Sequence, residues 1–186
     1  MHLTRTFDFS SFSVLIYAES EFARQLLTDM CRSLRFKAVV SKRDFATTWE
    51  AFKSHPIDII IGDIASEEGL RFLKAVRNIE TSPNAMIPVI ATALASSLDF
   101  VARARDAGAT EFVKLPLSAI TLIERIIYVI EHPRPFVKAA SYFGPDRRRK
   151  QRPFQGEDRR KATAAASEEV PSPSSQSTPD EGRVTT

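Results

Sequence analysis

Four short apolar runs, each rich in valine, isoleucine or phenylalanine, constrain the fold of this chain more than any other feature. An unbroken apolar run does not alternate between a buried face and a wet face, so it is typical of a strand covered on both faces. The runs therefore predict a parallel sheet with helices on both sides. They are SVLIY at 13–17, IDIIIGD at 57–63, IPVIATA at 87–93 and TEFVKL at 110–115, with a weaker fifth, KAVV, at 37–40.

The segments between the runs carry apolar residues at helical spacing, which predicts helices that pack on the sheet. Strand and helix patterns alternate five times from residue 13 to about 131, as expected for a doubly wound α/β domain. The predicted core-facing stripes are Phe22, Leu26, Leu27, Met30 and Leu34; Phe45, Trp49 and Phe52; Leu70, Leu73 and Val76; and Leu122, Ile126, Ile127 and Ile130.

The alternating pattern ends at Glu131, because the following HPRPF carries two prolines that cannot continue a helix. The last residues, 162–186, are rich in Ser, Pro and Thr and nearly free of large apolar side chains, which predicts a disordered tail. We therefore expect four parts: an N-terminal arm at 1–12, a globular domain at 13–133, a basic extension at 134–161 and the tail.

The basic charge of the chain is concentrated in the extension. Residues 1–133 hold 15 Lys and Arg against 16 Asp and Glu, whereas residues 134–161 hold ten against three. A local basic stretch predicts an anionic partner for that stretch and not for the whole surface. We expect the extension to be largely unstructured alone and to become ordered on its ligand.

The remaining composition favours a cytoplasmic protein. Cys31 is the single cysteine, so no intramolecular disulfide can form, and a lone thiol suits a reducing compartment. The N-terminus shows no secretory signal, and no run approaches the roughly 18 apolar residues of a membrane span. No membrane insertion is expected.

Acidic residues follow two of the predicted strands. Ligands of open α/β sheets bind at the carboxyl ends of the strands. Glu19 comes directly after the first strand, and Asp63 ends the third. Carboxylates at two neighbouring strand ends could hold a magnesium ion, so Glu19 and Asp63 are the candidate metal ligands.

The motifs VLIYAES, IIIGD, IPVIATA and DAGATEFVKLP resemble the receiver domain of bacterial response regulators, of the chemotaxis-regulator type. The resemblance runs from residue 13 to about 131 and implies a flavodoxin-like fold with five parallel strands. It implies that Asp63 stands at the phosphoacceptor position, that magnesium is the cofactor, and that the Leu115–Pro116 peptide bond is cis.

The chain departs from the receiver pattern at the positions that would surround a phosphoryl group. Ala18 stands where receivers carry the first of two acids, Ala93 where they carry Thr or Ser, and Leu115 where they carry Lys. Thr92 and Lys114 are each displaced by one residue, and the loop after Asp63 is about two residues short. Since a phosphoaspartate needs charged and hydroxyl partners, we expect a degenerate receiver that docks proteins.

Two near-copies of one basic phrase lie in the extension, GPDRRR at 144–149 and GEDRRK at 156–161. Gly, Pro and Asp favour turns, so each copy could present its arginines from a turn. Arg grips phosphate with a planar fork, stacks on flat rings and fits the O6/N7 edge of guanine. The predicted ligand-binding residues are Arg147, Arg148, Arg149, Arg152, Arg159, Arg160, Lys161, Phe143 and Phe154.

A partner with both phosphates and guanines would use all of these properties. Cyclic di-GMP offers two of each, and the extension resembles that of alphaproteobacterial receiver proteins that act as cyclic di-GMP effectors on the flagellar motor switch. RNA or single-stranded DNA is an alternative, gripped by charge and stacking. A solvated charge run without a specific ligand is the plain alternative.

These observations favour a non-enzymatic signalling protein. The receiver-like domain would dock a protein partner, such as the flagellar motor switch, and the extension would bind cyclic di-GMP. The competing hypotheses are a phosphorelay receiver that is phosphorylated on Asp63 and an RNA-binding adaptor.

Overall fold

The computed structural model describes residues 7–64, 66–94, 98–139 and 142–147. Five strands form one parallel sheet in the order β2-β1-β3-β4-β5, which confirms the doubly wound, flavodoxin-like fold. The strands are β1 Ser13–Tyr17, β2 Ala38–Lys42, β3 Ile59–Asp63, β4 Val89–Ala93 and β5 Glu111–Lys114.

One helix follows each of these strands. Four helices begin after a Ser or Asp whose side chain accepts a backbone N–H three residues on, which caps the helix; the capping residues are Ser20, Asp44, Ser66 and Ser118. The Leu115–Pro116 peptide bond between β5 and the last helix is cis, as the resemblance implied. The helices are α1 Glu21–Ser33, α2 Phe45–Ser54, α3 Glu67–Val76, α4 Leu98–Asp106 and α5 Ala119–Glu131.

The sheet separates two apolar cores because successive side chains of a strand point to opposite faces. In β1, Leu15 and Tyr17 pack with α2, α3 and α4, whereas Val14 and Ile16 pack with α1 and α5. Both faces of the sheet are therefore covered, which explains the unbroken apolar runs of the sequence.

The buried face of α1 differs from the predicted stripe. Ala23, Leu27 and Cys31 are fully buried, at a spacing of four residues, whereas the Phe22 side chain is 61% exposed. The prediction that Phe22 faces the core is wrong, because the small Ala23 lets the helix approach the sheet on the neighbouring face. Burial raises the pKa of the Cys31 thiol to about 12, so the thiol stays protonated.

The first part of the basic extension forms an antiparallel hairpin of β6 Phe136–Ala139 and β7 Tyr142–Pro145. The prediction that the extension is largely unstructured is therefore wrong for these strands. Apolar side chains of the two strands pack on one face of the hairpin, where the rings of Phe136 and Phe143 lie 5.5 Å apart across a diagonal of the register. The prolines that end the helical pattern, Pro133 and Pro135, precede β6 and so interrupt neither strand.

The hairpin packs on a buried arginine, Arg77, at the end of α3. The Arg77 side chain donates to the carbonyl oxygens of Gly108 at 2.8 Å, Ala85 at 2.8 Å and Ile87 at 2.7 Å, and its guanidinium carbon lies 5.1 Å from the ring centre of Phe136. Burial lowers the pKa of Arg77 to about 9. The carbonyl dipoles and the ring compensate in part for the lost hydration of the cation.

A close contact between two glycines completes the docking of the hairpin. A Cβ at Gly144 would come within 3.3 Å of the Gly108 Cα and 2.6 Å of the Tyr142 hydroxyl. Gly108 and Ile87 come shortly before β5 and β4, so the hairpin lies at the amino end of these strands. Asp63 lies at the carboxyl end of β3, and the extension therefore starts at the opposite end of the sheet.

None of the helices in the described ranges is both long and apolar enough to span a bilayer. The predicted disordered tail at 162–186 lies outside the described residues.

Candidate functional site

The carboxyl ends of β1, β3 and β4 meet at one edge of the sheet. Asp63, the last residue of β3, stands opposite Thr92 of β4 in the parallel register. Glu19 follows β1, the neighbour of β3 on the other side. The two acids predicted from the sequence thus come from adjacent strands.

The Glu19 carboxylate accepts hydrogen bonds from two hydroxyl groups at this edge. Tyr17 donates to it at 3.0 Å, and Ser66 donates to the same oxygen through a short contact. Burial and the hydrogen bond to Glu19 raise the pKa of Tyr17, so this hydroxyl remains a donor. Both partners direct Glu19 toward the loop that follows β3.

Ser66, the residue before α3, contacts Glu19 at this edge. Ser66 caps α3 by accepting the N–H of Gly69 at 2.9 Å. A Cβ at Gly69 would lie 2.8 Å from the Ile64 Cα, so the tight approach of α3 to the end of β3 requires a glycine.

Three positions around Asp63 hold apolar side chains that are completely buried. They are Ala18, Ala93 and Leu115, and none supplies a charge or a donor beyond its backbone. Lys114 is exposed, while Leu115 packs in the core with α1 and α5. Thr92 is fully buried, and its hydroxyl has no hydrogen-bond partner among the residues that the structure describes.

The carboxylates predicted to hold a magnesium ion at this edge are those of Glu19 and Asp63. Within the described parts of the chain, no group of three or more His, Cys, Asp or Glu side chains is placed to hold a metal. The Glu19 carboxylate accepts from the Tyr17 and Ser66 hydroxyls, and the resemblance places Ala18 where receivers carry a second acid. The two candidate metal ligands, Glu19 and Asp63, remain a prediction from the sequence.

The first basic phrase begins on the docked hairpin. The Arg147 guanidinium carbon lies 4.1 Å from the ring centre of Tyr142, and its Nη1 donates to Asp106 of α4 at 2.9 Å. The Tyr142 hydroxyl donates to the Pro145 carbonyl at 2.8 Å, which holds the ring in place. Arg147 is thus oriented by the fold, and its side chain is still 42% exposed.

The other predicted ligand-binding residues divide into two groups. Phe143 is half-buried against Phe136 inside the hairpin, where it stabilises the fold. The rest lie outside the described residues, namely Arg148, Arg149, Arg152, Phe154, Arg159, Arg160 and Lys161.

Sequence reasoning missed five residues that organise this end of the sheet. The signal for Tyr142 was its position before the first phrase, five residues from Arg147. The remaining four belong to α3, α4, β5 and the segment before the hairpin, and no local pattern links them. The five are Arg77, Asp106, Glu111, Arg134 and Tyr142.

Comparison with known proteins identifies similar sequences. Residues 14–127 match the profile described as "Response regulator receiver domain". A curated relative, "Chemotaxis protein CheY" of Bacillus subtilis (strain 168), is 27% identical over 115 residues, which is 61% of this chain and 92% of the relative.

Solved structures share the fold of the described domain. The chemotaxis protein CheY4 of Vibrio cholerae superposes with a TM-score of 0.57 at 21% identity, over 64% of this chain and 98% of that protein. A putative response regulator of Chloroflexus aurantiacus gives a TM-score of 0.59 at 16% identity, over 65% of this chain and 98% of the other. Neither match reaches the full length of this chain, whose basic extension lies beyond the matched family segment.

Proposed function

This chain belongs to the response regulator receiver domain family, and from that membership we propose that it is a non-enzymatic cytoplasmic signalling protein. Its receiver domain serves as a docking module for a protein partner, and its basic extension binds cyclic di-GMP. Ligand level would then control partner choice, because the ligand favours one state of the extension over the other.

The proposed loss of phosphotransfer is inferred from the apolar side chains around Asp63. Ala18, Ala93 and Leu115 are fully buried where a phosphoryl group would need an acid for the metal, a hydroxyl and a cation. A phosphoaspartate carries close to two negative charges, and an uncompensated charge in a partly buried place is costly. We infer that a protein partner recognises the surface of the domain and that this recognition does not depend on phosphorylation.

The extension supplies the ligand chemistry of the proposal. The Arg147 guanidinium lies over the ring of Tyr142, and the rest of the phrase adds arginines that can contact phosphates and guanines together. Cyclic di-GMP is a compact anion that carries both groups. As partner of the docking face we propose the flagellar motor switch, in line with a curated relative that is called a chemotaxis protein.

The proposal is tested by calorimetry of the full chain with cyclic di-GMP beside a chain that ends after Arg147. The shorter chain keeps the hairpin over Arg77 and loses the second phrase together with the last two arginines of the first, Arg148 and Arg149. We expect binding by the full chain and its loss, or a drop of at least tenfold, in the shorter one.

Cyclic di-AMP serves as the ligand control, since it has the same ring of phosphates and lacks the guanine edge. Equal binding of both dinucleotides would point to charge alone. No binding of cyclic di-GMP by the full chain, with RNA binding that weakens steeply as salt rises, would favour the RNA-binding adaptor instead.

Asp63 should accept phosphate poorly. Incubation with acetyl phosphate and magnesium should leave little stable phosphoprotein, because Ala18, Ala93 and Leu115 leave the added charge without partners. Intact-mass measurement gives the fraction labelled, with a receiver that carries all of these groups as the positive control. Stoichiometric, magnesium-dependent labelling that Asp63→Asn abolishes would establish the phosphorelay function in place of the degenerate one.

A further inference from the structure

One edge of the parallel sheet is open. β2, Ala38–Lys42, stands at the end of the sheet order and pairs only with β1 among the strands that the structure describes. Successive residues of a strand direct their backbone groups to opposite sides, so the N–H and C=O groups of alternate residues of β2 point away from β1. Unpaired backbone groups of this kind are a template for a further strand.

β2 is also the most exposed strand of the sheet. All five residues of β1 and of β4 are buried, whereas Ala38 is exposed and the other four residues of β2 are half-buried. Val39 packs with the core on the α1 side of the sheet, and Val40 packs with the core on the α2 side. A further strand beside β2 would therefore extend both cores and cover apolar surface.

The chain around this edge is basic. Residues 32–43 contain five Lys and Arg and no Asp or Glu. Lys37 directly precedes β2, Lys42 ends it and Arg43 follows it, so cations stand at both ends of the open edge. No salt bridge joins Lys37 or Lys42 to an acid in the part of the chain that the structure describes. We call residues 37–43 the basic edge.

We propose that the basic edge binds an acidic, extended segment of a partner protein as an additional strand. The backbone of the segment pairs with the outer side of β2, and its carboxylates lie near Lys37, Lys42 and Arg43. The same cations repel the basic edge of a second copy, so the arrangement favours a different protein over self-association. The inference rests on the proposed function in one respect, since it names a surface through which the receiver domain docks a protein.

The probe is a fluorescein-labelled peptide of nine residues. It has two glutamates at each end, and alternating Val and Thr fill its five central positions to match the five residues of β2. Fluorescence anisotropy with the full chain should show saturable binding that weakens as salt rises. A peptide with lysine in place of each glutamate should bind at least tenfold more weakly. Equal binding of the two peptides would overturn the assignment of an acidic partner.

Backbone pairing is tested separately from charge. Two versions of the acidic peptide carry N-methyl groups on alternate central residues, one version on each edge of the strand. One version should bind as the parent peptide does and the other at least tenfold more weakly, because only one edge of the added strand pairs with β2. The parent peptide should also slow amide hydrogen exchange at alternate residues of β2. Equal binding of both methylated versions would overturn strand addition.

Charge reversal on the protein locates the site. Lys37→Glu combined with Arg43→Glu should weaken binding of the acidic peptide at least tenfold. Lys74→Glu combined with Arg125→Glu makes the same changes at exposed positions of α3 and α5 and should keep the affinity within about twofold of the wild type. Equal affinity in the two double variants would overturn the basic edge as the site. Thermal unfolding checks each fold, and glutamine at positions 37 and 43 decides if the glutamate variant does not fold.

Calorimetry of the wild type with cyclic di-GMP separates this inference from the proposed function. No binding of the acidic peptide up to about 1 mM, with or without binding of single-stranded DNA, would overturn the basic edge as a docking site. Binding of cyclic di-GMP in that case would leave the proposed ligand standing. Binding of the peptide without binding of cyclic di-GMP would support the basic edge and overturn the proposed ligand.

Discussion

Replacing Arg77 with methionine should lower the free energy of unfolding by roughly 3 kcal/mol or more. The change removes three hydrogen bonds to backbone carbonyls and leaves those acceptors without their donor under the hairpin. Each unsatisfied buried acceptor costs about 1–3 kcal/mol, which outweighs the relief of no longer burying a cation. Thermal unfolding should show a midpoint lower by about 6–12 °C in a domain of this size.

Arg71→Met is the matched control, since Arg71 lies on α3, the helix that Arg77 caps, and is exposed. The free energy of unfolding of this variant should stay within about 0.5 kcal/mol of the wild-type value. Loss of the contact between Arg71 and the Phe45 ring is included in that range. The account of the hairpin as a docked part of the domain fails if Arg77→Met unfolds at the same temperature as this control.

Exchanging Arg147, Arg148, Arg159 and Arg160 for lysine should weaken cyclic di-GMP binding at least tenfold. The exchange keeps the net charge and removes the planar forks that contact phosphate and guanine in pairs. Each bidentate pair is worth about 1–3 kcal/mol, so the loss of two is enough for this effect. Calorimetry with the full chain gives the change in affinity.

Four arginines elsewhere allow a control with the same number of exchanges. They are all exposed and lie away from the extension, so their exchange for lysine should leave affinity unchanged; they are Arg32, Arg43, Arg71 and Arg125. Equal affinity in the phrase variant and in this control would mean that charge alone attracts the ligand. The extension would then not be a clamp.

The sheet could be predicted from the sequence because both of its faces are covered. The run SVLIY matches β1, Ser13–Tyr17, and the other predicted strands overlap their observed counterparts. The same reasoning was wrong for Phe22, because one helix can carry more apolar residues than its contact with the sheet can bury. The sequence of a helix predicts a broad apolar stripe. In α1 the small side chain of Ala23 determines which part of that stripe packs against the sheet.

The lining around Asp63 could also be predicted from the sequence, since the resemblance to receivers drew attention to Ala18, Ala93 and Leu115 at the strand ends. The hairpin could not, because its short strands, Phe136–Ala139 and Tyr142–Pro145, depend on contacts with Arg77, which lies about 60 residues earlier. Pairings over such distances leave no local period. For the same reason the sequence did not predict the ion pair of Glu111 and Arg134.

The docking of the hairpin also determines what a ligand must do to bind. Fixing the backbone of one residue costs roughly 1–2 kcal/mol of conformational entropy, and for 142–147 that cost is met when the domain folds. A ligand that contacts Arg147 meets a side chain already oriented by Tyr142 and Asp106, and this preorganisation raises its affinity. Affinity for the ligand is therefore tied to the stability of the domain, and a substitution that loosens the hairpin at Phe136 weakens binding without touching a ligand atom.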